Sequence, residues 1–504
     1  MSGGMDMERQ LTDVLAKLPG AVVTGNPESK IVNDLTIDSR TVQPGSLFIC
    51  LVGVHTDGHA YVQKAAAQGA AAVLVEKDVT VPEGTVVIRV PSTQEAMINL
   101  APWFYDYPAR KMRMVGVTGT NGKTTTTNIL RTLLTANGHK VGLIGTINVM
   151  IGDEVRVSHN TTPDVVDLQK ILYEMQTKGC DYVVMEVSSH ALALDRVAGI
   201  EYDTAVLTNI TEDHLDFHKT MENYREAKAL LFTKFMAGSK PNKTSVFNMD
   251  DPSSAIILPR VKTKVLTYGK GKDNDVYPIR FTIGAKSMDL ELHTPVGDMK
   301  LNLHITGEFN VYNVMGTICA AIAEGLTRDE LIQGLDDFGG VPGRFQLIEA
   351  GQPFTVVVDY AHTPDGLENV LKTARQITKG RLWCIFGCGG DRDRKKRPIM
   401  GKLAVELSDV PVVTTDNPRS EDPEAIIADI EEGMKGSEAA GKEIHKITDR
   451  KDAIEFAISH AAPEDVIMIA GKGHENYQIL KDRTIHFDDG EVVRNYFQKG
   501  NAHD

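Results

Sequence analysis

Apolar runs and helical repeats alternate along most of this chain, and the alternation is clearest between residues 112 and 145. The apolar run from Met112 to Val117 contains β-branched residues and predicts a buried strand. A glycine-rich turn follows, and apolar residues then recur at helical spacing up to Asn137-Gly138, a pair that ends helices because both residues tolerate a left-handed backbone. The run 141–144 predicts the next strand. This order is typical of a parallel sheet.

The first 110 residues predict a smaller α/β unit. Its strands are predicted at 32–37, 46–52, 71–75 and 85–90, and a helix at 61–68. Two polar segments interrupt these elements: Ser39 with Arg40, and a loop from Val54 to His59 that contains His55 and Thr56. Their side chains suit an anionic ligand, although solvated turns explain them equally well.

The middle of the chain continues the same alternation. Asp164 is placed to cap a helix over 165–177, and the run 181–187 predicts a strand that contains Glu186 at its end. The remaining predictions are a strand at 205–210, a helix at 224–232, strand-rich sequence at 240–305 and a helix from 307–310 to 323. Residues 341–345 are interpreted as a linker into the last third.

Four apolar strands in the last third, about 346–504, each end in a polar loop. The strands are predicted at 354–358, 382–386, 410–414 and 466–470, and the loops at 359–362, 387–397, 416–419 and 471–475. Helical segments between them predict a doubly wound parallel sheet, in which ligands bind at the carboxyl ends of the strands. A single charged loop such as 391–397 fits a solvated surface, whereas four loops on one edge favour a site.

Length and composition limit the class of protein. The 504 residues suffice for about three domains of ~150 residues, and the 42% hydrophobic and 24% charged residues are typical of a globular protein. The net charge of −14 argues against nucleic-acid binding. No apolar run approaches the ~20 residues of a membrane span, and the first ten residues lack a signal-peptide core. A cytoplasmic protein without a membrane span is therefore expected.

The cysteines point to neither a disulfide framework nor a zinc site. There are five of them, an odd number, and four lie in or beside apolar runs, as buried thiols do. Cys384 and Cys388 are four residues apart, but further zinc ligands at matching spacing do not accompany them.

The turn after the strand 112–117 has the residues of a phosphate-binding loop. It consists of Gly119, Thr120, Asn121, Gly122, Lys123, Thr124 and Thr125. Glycines let backbone N–H groups close around phosphate oxygens, a lysine reaches the outer phosphates, and a threonine hydroxyl ligates Mg²⁺. The usual pattern would place a glycine at Val117, so this loop departs from it. An ordinary turn is the alternative, but the flanking strand and helix are the context that the motif requires.

Acidic and histidine side chains follow the neighbouring predicted strands. Glu186 stands where a second Mg²⁺ ligand belongs beside a phosphate loop, although a paired edge carboxylate is the alternative. The segment 211–218, which contains His214, favours magnesium over zinc in that setting, with a plain surface loop as its alternative. Lys228 lies between apolar residues of a predicted helix, and its spacing favours a side chain that reaches outward to solvent over a functional one.

Six segments together carry a family resemblance. They are TGTNGKTTT at 118–126, EVSSH at 186–190, TNITEDHLDFH at 208–218, GEFNVYN at 307–313, DYAHTPD at 359–365 and GKGHE at 471–475. This set resembles the Mur ligases, ATP-dependent amide-forming enzymes of bacterial peptidoglycan synthesis, over nearly the whole chain. That family uses the same shortened phosphate loop.

The resemblance implies an α/β fold of three domains. These are an N-terminal UDP-muramoyl-binding domain at 1–110, a central P-loop ATPase domain with a parallel sheet at 111–345, and a C-terminal Rossmann-like amino-acid-binding domain at 346–504. It also implies ATP as a substrate and Mg²⁺ as a cofactor.

Matching positions imply roles for particular residues. The ATP contacts would be Gly119 to Thr125 with Asn310, Arg344 and Asp359. The Mg²⁺ contacts would be Thr124, Glu186, His214 and Lys228, the last as a carbamate that acts as a carboxylate. Lys123, Lys228, His214 and Glu186 would form the catalytic set. The implied role of Lys228 reverses the interpretation from its spacing.

Two further sets match substrate contacts of the family. Ser39, His55 and Thr56 match the uridine diphosphate end of the nucleotide substrate, and Asn160, Thr161, Thr162, Ser188 and Arg196 match its muramoyl dipeptide end. The pocket for the incoming amino acid is matched by Arg394, Asp416, Asn417, Pro418, Arg419, Gly471 and Glu475.

The segment DNPR at 416–419 resembles the branch of the family that adds meso-diaminopimelate to UDP-N-acetylmuramoyl-L-alanyl-D-glutamate. Diaminopimelate carries a distal carboxylate that lysine lacks, and a guanidinium binds a carboxylate through two parallel hydrogen bonds. Arg419 is therefore expected to read that carboxylate, with Asp416 and Glu475 on the distal ammonium. The implied reaction passes through an acyl phosphate, and the enzyme is expected to be a monomer.

Three alternatives stay open. The first is the same ligation with another amino acid such as L-lysine. The second is a folylpolyglutamate synthetase-like ligase, which shares the ATPase core but leaves the first 110 residues and the DNPR segment unexplained. The third is a P-loop ATPase that powers or regulates a protein partner, which leaves the polar loops of the last third unexplained.

Overall fold

The computed structural model describes residues 7–53, 56–158, 160–213, 215–336, 338–436 and 441–500, with the backbone alone at residues 216, 499 and 500. Contacts divide the chain into two compact units. The first unit is Met1–Tyr268 with Gly316–Leu326, and the second unit is Gly269–Met315 with Thr327–Asp504. The mixed α/β class is confirmed, and the three-domain bounds at 110 and 345 stay a prediction.

Residues 7–111 of the first unit form a small α/β layer. Its elements are β1 Arg9–Gln10, α1 Leu11–Leu15, β2 Val22–Thr24, β3 Ile31–Val32, β4 Asp34–Thr36, β5 Ser46–Ile49, a 3-10 turn Gly58–Tyr61, α2 Val62–Ala67, β6 Ala72–Val75, β7 Val86–Arg89, α3 Thr93–Phe104 and a 3-10 turn Pro108–Lys111. The main sheet has the order β2-β7-β6-β5-β4, and only β2 is antiparallel. Its central strands β5 and β6 are buried throughout because both are continuous apolar runs.

The rest of the first unit is built on a larger sheet. Its elements are β8 Arg113–Thr118, α4 Lys123–Ala136, β9 Val141–Ile144, β10 Asn148–Ile151, β11 Glu154–Val157, α5 Val165–Thr177, β12 Tyr182–Glu186, α6 Ser189–Ala193, β13 Thr204–Leu207, α7 Leu215–His218, α8 Met221–Thr233, β14 Thr244–Asn248, α9 Pro252–Ile257, a 3-10 turn Leu258–Arg260 and β15 Lys264–Tyr268. The strand order is β11-β10-β9-β12-β8-β13-β14-β15, parallel from β9 to β15. The order reverses at β8, and ligands of such sheets bind where the order reverses.

The second unit begins with a three-stranded antiparallel sheet. Its elements are β16 Tyr277–Ile283, β17 Met288–His293, β18 Met299–Leu303, α10 Glu308–Ala323 and α11 Arg328–Leu335. Helix α10 starts in the second unit and ends among first-unit residues. Helix α11 begins with a capping box in which Thr327 and Glu330 satisfy each other's backbone N–H groups.

The remaining elements of the second unit form the doubly wound sheet that the sequence predicts. They are β19 Gln346–Leu347, β20 Thr355–Asp359, α12 Pro364–Ile377, β21 Leu382–Phe386, α13 Lys396–Leu407, β22 Val410–Val413, α14 Pro423–Glu432, β23 His445–Lys446, α15 Arg450–His460, β24 Val466–Ala470, β25 Tyr477–Ile479, β26 Thr484–His486 and α16 Asp489–Gly500. The sheet order is β19-β20-β24-β21-β22-β23, parallel from β20 to β23. Alternate residues of each strand enter separate apolar clusters, so both faces are covered.

Several local predictions differ from the structure, and three of the differences involve identifiable contacts. Strand β13 ends at Leu207 instead of residue 210; Thr208 N still donates to Thr118 O at 3.0 Å, but the Thr208 hydroxyl donates to Asn121 O at 2.6 Å. Helix α9 falls in sequence predicted to be strand-rich; Asp251 caps it by accepting from Ser253 N at 2.8 Å. Asp164 precedes α5 as predicted, yet its side chain makes no capping bond and pairs with Arg196 instead.

All five cysteines are buried and free. In the described ranges, no helix is both long enough and apolar enough to cross a bilayer.

An ion pair between Arg450 on α15 and Asp489 at the start of α16 is removed from solvent. Arg450 Nε and Nη2 donate to the two carboxylate oxygens at 2.8 Å each, and both side chains are 0% exposed. Nη2 also donates to Ala470 O at 3.1 Å, at the end of β24. The pair therefore ties the last helix to the strand that precedes the 471–475 loop.

We expect Asp489→Asn to lower the free energy of unfolding by about 3–5 kcal/mol, because the guanidinium is left buried without a counter-charge. Urea denaturation followed by circular dichroism measures this difference. The control Asp482→Asn removes an exposed carboxylate, 4.0 Å from Arg483, and should change stability by less than about 0.5 kcal/mol. Equal effects of the two substitutions would contradict a stabilising role for the buried pair.

Candidate active site

The loop between β8 and α4 has a backbone that its glycines allow. Gly119 and Gly122 have φ angles of +151° and +86°, which L side chains rarely adopt. A Cβ on Gly119 would also overlap the hydroxyl of Thr208. Gly122 is the N-cap of α4, so the loop leads into a helix N-terminus, whose N–H groups and dipole favour a phosphate. Thr124 and Thr125 are buried in the first helical turn.

The predicted loop lysine and the predicted helix lysine meet at one backbone carbonyl. Lys123 Nζ donates to Gly119 O at 2.8 Å and to Thr120 O at 2.9 Å. Lys228 Nζ donates to the same Gly119 O at 2.8 Å. The structure therefore brings together two amines that are 105 residues apart in sequence, directly at the phosphate loop.

Lys228 does not reach outward from its helix. Its side chain is 1% exposed, and Nζ lies 4.6 Å from the centre of the Tyr224 ring. The interpretation from spacing is therefore wrong, because α8 packs this face against β8. Burial lowers the pKa of the Lys228 amine well below its ordinary value, and the Lys123 cation lowers it further. A neutral lysine amine is nucleophilic.

Glu186, at the carboxyl end of β12, is also buried. Its carboxylate is 1% exposed and accepts from the backbone N–H and the hydroxyl of Thr146, both at 2.9 Å. A Cβ on Gly145 would lie 2.5 Å from Glu186 Oε1, so the carboxylate needs a glycine beside it. Both donors are neutral, and an ionised carboxylate buried among neutral groups is costly unless a cation joins it.

These oxygens fit a hard divalent cation. Carboxylate and hydroxyl oxygens are the ligands that Mg²⁺ prefers, and Glu186 and the Thr124 hydroxyl follow the adjacent parallel strands β12 and β8. His214 lies outside the described residues. Within the residues that the structure does describe, three or more His, Cys, Asp or Glu side chains do not cluster as metal ligands would. The Mg²⁺ ligand set thus stays a prediction.

Four of the five residues predicted for the dipeptide end surround the end of β12. Thr161 Oγ1 lies 3.0 Å from Thr146 Oγ1, next to Glu186. Thr162 Oγ1 donates to Glu186 O at 2.9 Å and accepts from Ser188 N at 3.1 Å. Arg196 Nη1 reaches Thr162 O at 3.5 Å. The network places three hydroxyl-bearing side chains around the end of β12 and the Arg196 guanidinium next to Thr162.

The fifth of these residues, Asn160, is exposed, and its carbonyl accepts from the Ser158 hydroxyl at 2.7 Å.

At the predicted uridine diphosphate end, Ser39 is buried beside Asp38, which Arg40 Nη2 contacts at 2.6 Å. Thr56 is exposed, and its carbonyl accepts from Gly53 N at 2.8 Å. His55 lies outside the described residues.

The other predicted nucleotide contacts lie in the second unit. Asp359 accepts from Phe345 N at 2.6 Å and from Ala361 N at 2.8 Å. Burial raises the pKa of this carboxyl, an effect that the Arg344 guanidinium opposes. Arg344 lies 5.2 Å from the centre of the Tyr360 ring. These contacts hold the loop after β20 against the 341–345 segment.

Asn310 is buried on the first turn of α10. Its Nδ2 donates to Thr306 O at 2.8 Å, and its Oδ1 accepts from Asn313 Nδ2 at 3.0 Å. The amide is therefore held in one orientation.

The loops that follow β22 and β24 converge as predicted. Asn417 Nδ2 donates to Glu475 Oε2 at 2.9 Å, and both side chains belong to the predicted amino-acid pocket. Gly471 has φ +118°, and a Cβ there would lie 2.7 Å from Asp416 Oδ2. Asp416 and Pro418 are buried. The structure thus brings most of the predicted pocket together.

The two predicted arginines of this pocket differ in their surroundings. Arg419 is half-buried with φ +51°, and its Nη1 donates to Gly390 O at 2.9 Å. A guanidinium has five N–H donors, so most remain for a ligand. Arg394 is 66% exposed and pairs with Asp429 on α14 at 3.0 Å. Its role in the pocket stays a prediction.

Sequence reasoning missed three residues that organise these sites. Thr146 holds Glu186, and its position in a turn carries no signal in the sequence. Lys472, fully buried, donates to Asn417 and Glu475. Gln478 Nε2 donates to Asp416 O at 2.7 Å. Lys472 was detectable, because it lies within the GKGHE segment directly after an apolar strand.

The fold and the phosphate loop define a P-loop enzyme that uses a nucleotide. Its parallel sheet places the loop where the strand order reverses, and a second doubly wound sheet carries a polar pocket suited to a zwitterionic ligand. An enzyme that joins two substrates with energy from ATP has this combination of parts.

Three family models match successive parts of the chain. The Mur ligase family, catalytic domain, matches residues 32–105; the Mur ligase middle domain matches 117–321; and the Mur ligase, glutamate ligase domain, matches 343–473. The chain belongs to the Mur ligase family. It is therefore an ATP-dependent ligase that forms an amide bond.

Similar proteins match this chain over almost its full length. The UDP-N-acetylmuramoyl-L-alanyl-D-glutamate–2,6-diaminopimelate ligase of Bacillus velezensis is 46% identical over 488 residues, which cover 96% of this chain and 98% of the relative. A solved structure with the same name is 31% identical with a TM-score of 0.68, covering 98% of this chain and 100% of that chain. A MurF ligase of Thermotoga maritima in complex with ADP is 21% identical with a TM-score of 0.62, over 93% and 98% of the two chains, and shares the fold.

Proposed function

We propose that this ligase adds meso-diaminopimelate to UDP-N-acetylmuramoyl-L-alanyl-D-glutamate, with ATP cleaved to ADP and phosphate, as a step of peptidoglycan precursor synthesis. The single observation that carries the proposal is the DNPR segment at 416–419, which is built into a buried polar cluster with Arg419 at its edge. The name of the 46% identical relative supports the same substrates.

The phosphate loop would bind the triphosphate of ATP. Its N–H groups and the N-terminus of α4 would contact phosphate oxygens. Lys123 would give up its hydrogen bonds to the loop carbonyls and donate to the outer phosphates instead. Asn310, Arg344 and Asp359 are the proposed nucleotide contacts of the second unit. With the triphosphate fixed, the D-glutamate γ-carboxylate attacks the γ-phosphorus and forms an acyl phosphate, while ADP leaves.

The surroundings of Glu186 support Mg²⁺ as the cofactor. Thr124, Glu186, His214 and carbamylated Lys228 would hold it. When bound, Mg²⁺ supplies positive charge that stabilises the transferred phosphoryl group. The residues themselves orient the substrates: Thr146 fixes the Glu186 carboxylate, and Lys123 neutralises phosphate charge.

The proposed nucleotide-peptide contacts are the group around β12 and the residues at 39, 55 and 56. Hydroxyls of Thr161, Thr162 and Ser188 and the Arg196 guanidinium would bind the dipeptide carboxylates. Arg196 is 26% exposed and pairs with Asp164 at 3.1 Å, so it has a fixed direction before substrate binds. This arrangement would orient the γ-carboxylate for the first step.

The pocket of the second unit would bind diaminopimelate by its distal amino-acid centre. Arg419 would hold the distal carboxylate through two parallel hydrogen bonds, and Asp416 and Glu475 would hold the distal ammonium. The amine at the other end then attacks the acyl carbon, an amide forms, and phosphate leaves. Both substrates and ATP are cytoplasmic metabolites, so we propose a cytoplasmic enzyme; the monomeric state stays a prediction.

Substrate omission tests this function. We expect ADP release to require the nucleotide-peptide, diaminopimelate and ATP together, with the tripeptide product seen by mass spectrometry. An amino-acid panel should give at least about 100-fold higher kcat/KM with meso-diaminopimelate than with L-lysine, the scale of an unmatched charged group.

The same assay separates the alternatives. Equal use of L-lysine would overturn the amino-acid assignment. ATP hydrolysis that ignores both co-substrates would overturn ligation of these compounds, and a melting shift with folate instead of the nucleotide-peptide would favour the folylpolyglutamate synthetase-like alternative. The match at residues 32–105 counts against that last outcome.

A further inference from the structure

We propose that Lys472 is a positioning residue for the amino-acid pocket, which orients Glu475 and Asn417 for the distal ammonium of the incoming amino acid. The inference rests on the proposed function, because it concerns the pocket assigned there to diaminopimelate. It adds a residue that contacts the pocket side chains from behind and would not touch the substrate.

The three side chains form a closed triangle. Lys472 Nζ donates to Glu475 Oε2 at 3.1 Å and to Asn417 Oδ1 at 3.3 Å. Asn417 Nδ2 donates to the same Glu475 Oε2 at 2.9 Å. Asn417 Oδ1 also accepts from Ile479 N at 3.0 Å, which fixes the amide against a flip. The other oxygen of Glu475, Oε1, takes no part in the triangle.

Burial makes the lysine cation matter. The Lys472 side chain is 0% exposed and that of Glu475 is 14% exposed. A lysine that is removed from water normally has a partner of opposite charge, and here the partner is a carboxylate of the pocket. The ion pair turns one oxygen of Glu475 toward Lys472. A cationic ligand would then meet the remaining oxygen.

The triangle also joins two loops whose strands are not neighbours. Asn417 follows β22 and Lys472 follows β24, and β21 lies between these strands. Gly387, at the end of β21, permits the approach, since a Cβ there would overlap Thr414 O. The contacts of Lys472 therefore join the two halves of the pocket, together with the direct bond from Asn417 to Glu475.

Other polar and charged groups also face Glu475. Arg450 interacts electrostatically with both Glu475 and Asp416. Tyr477 interacts with Glu475, Arg419 and Asp416, and Tyr360 with Glu475 and Asp416. A substitution of Lys472 alone leaves these side chains unchanged, so its effect on binding reports the loss of the lysine.

The test is Lys472→Met, which keeps most of the length of the side chain and removes its charge. We expect the KM for diaminopimelate to rise about tenfold or more, with the KM for ATP changed less than about twofold. We also expect kcat at saturating diaminopimelate to change less than about twofold, since Lys472 does not touch the reacting atoms. Initial rates of ADP release with each substrate varied in turn measure these effects.

Two comparisons distinguish positioning from a loss of stability. In a Glu475→Gln background, Lys472→Met should change the KM for diaminopimelate less than about twofold, because the lysine acts through that carboxylate. The matched control is Lys243→Met, which removes an 8% exposed lysine paired with Glu201 at 2.5 Å in the first unit. It should leave the KM for diaminopimelate unchanged.

The proposal is overturned by a Lys472→Met enzyme with the wild-type KM for diaminopimelate, or by the same fold-change with and without the Glu475 carboxylate. If Lys472→Met does not fold, Lys472→Arg is the second variant, since it retains a cation and should keep the KM for diaminopimelate within about threefold of the wild type. A folded Lys472→Arg enzyme whose KM rises about tenfold would also overturn the proposal. Failure of the proposed function is recognised separately, because the wild-type enzyme would then show no diaminopimelate-dependent ADP release.

Discussion

Lys228→Ala is expected to lower the kcat of ligation about 100-fold or more, the usual cost of removing one electrostatic contact from a transition state. The amine is buried, donates to Gly119 O in the phosphate loop, and has a lowered pKa. As a carbamate it would add a negative oxygen ligand where the phosphoryl group is transferred. The KM for diaminopimelate should change little, because Lys228 belongs to the first unit and the proposed amino-acid contacts to the second.

Rescue makes this prediction specific. Short carboxylates such as acetate or formate should restore part of the activity of Lys228→Ala, because they can replace the carbamate. Lys234→Ala, which removes an exposed lysine at the end of the same helix, is the control and should retain wild-type activity. Wild-type kcat in Lys228→Ala, or rescue by neutral additives as well as by carboxylates, would refute the assigned role.

The direction of the pKa shift gives a pH dependence for the native enzyme. CO₂ adds to a neutral amine, and a lowered pKa means that Lys228 stays neutral to lower pH than an ordinary lysine. Acid would protonate the amine and so remove the proposed carbamate. We therefore expect activity to fall with decreasing pH faster in CO₂-depleted buffer than in bicarbonate, measured by initial rates in paired buffers.

Arg419→Ala is expected to weaken diaminopimelate binding by about 2–5 kcal/mol, because the distal carboxylate loses its guanidinium partner and stays desolvated. The KM for ATP should change far less. Arg419 has a left-handed backbone, and the substitution leaves its Cβ and hence its backbone strain unchanged. Arg419→Lys serves as a second variant: it keeps the charge but cannot form two parallel bonds, and should have an intermediate KM.

Steady-state kinetics with varied diaminopimelate and saturating ATP measure this effect. Arg375→Ala is the control, since it removes an exposed arginine of the same unit that pairs with Asp409 at 2.8 Å. Two outcomes would show that Arg419 does not recognise the distal carboxylate. One is a wild-type KM for diaminopimelate in Arg419→Ala. The other is an unchanged preference of Arg419→Ala for diaminopimelate over L-lysine.

The fold was largely accessible from the sequence because its strands are buried parallel strands. Such strands are short, continuous apolar runs, whereas apolar residues in the helices between them recur every three or four positions. The predicted bounds of α5, β21 and β24 therefore match the structure to the residue. The end of β13 could not be predicted, because the Thr208 hydroxyl bonds to Asn121 O, 87 residues away in sequence. Helix α9 was missed although Asp251-Pro252 is a recognisable helix start.

The sequence predicts those residues of the candidate site whose chemistry is visible in one short segment. Glycines and Lys123 identify a phosphate loop without any tertiary information. The environment of Lys228 could not be predicted in this way. The sequence of α8 does not show that β8 and the phosphate loop cover the face of the helix on which Lys228 lies. The same limit applies to Thr146, which reaches Glu186 from 40 residues away, and to Lys472, whose partner Asn417 is 55 residues away.

The strand order of the second unit has a consequence for how the protein is made. Strand β24 lies between β20 and β21, yet it is synthesised about 80 residues after β21. Until it emerges from the ribosome, β20 and β21 each present an unpaired apolar edge, and such edges template aggregation. Heterologous production should therefore gain from slower translation or chaperone supply, and losses in inclusion bodies should fall most on variants that delay insertion of this strand.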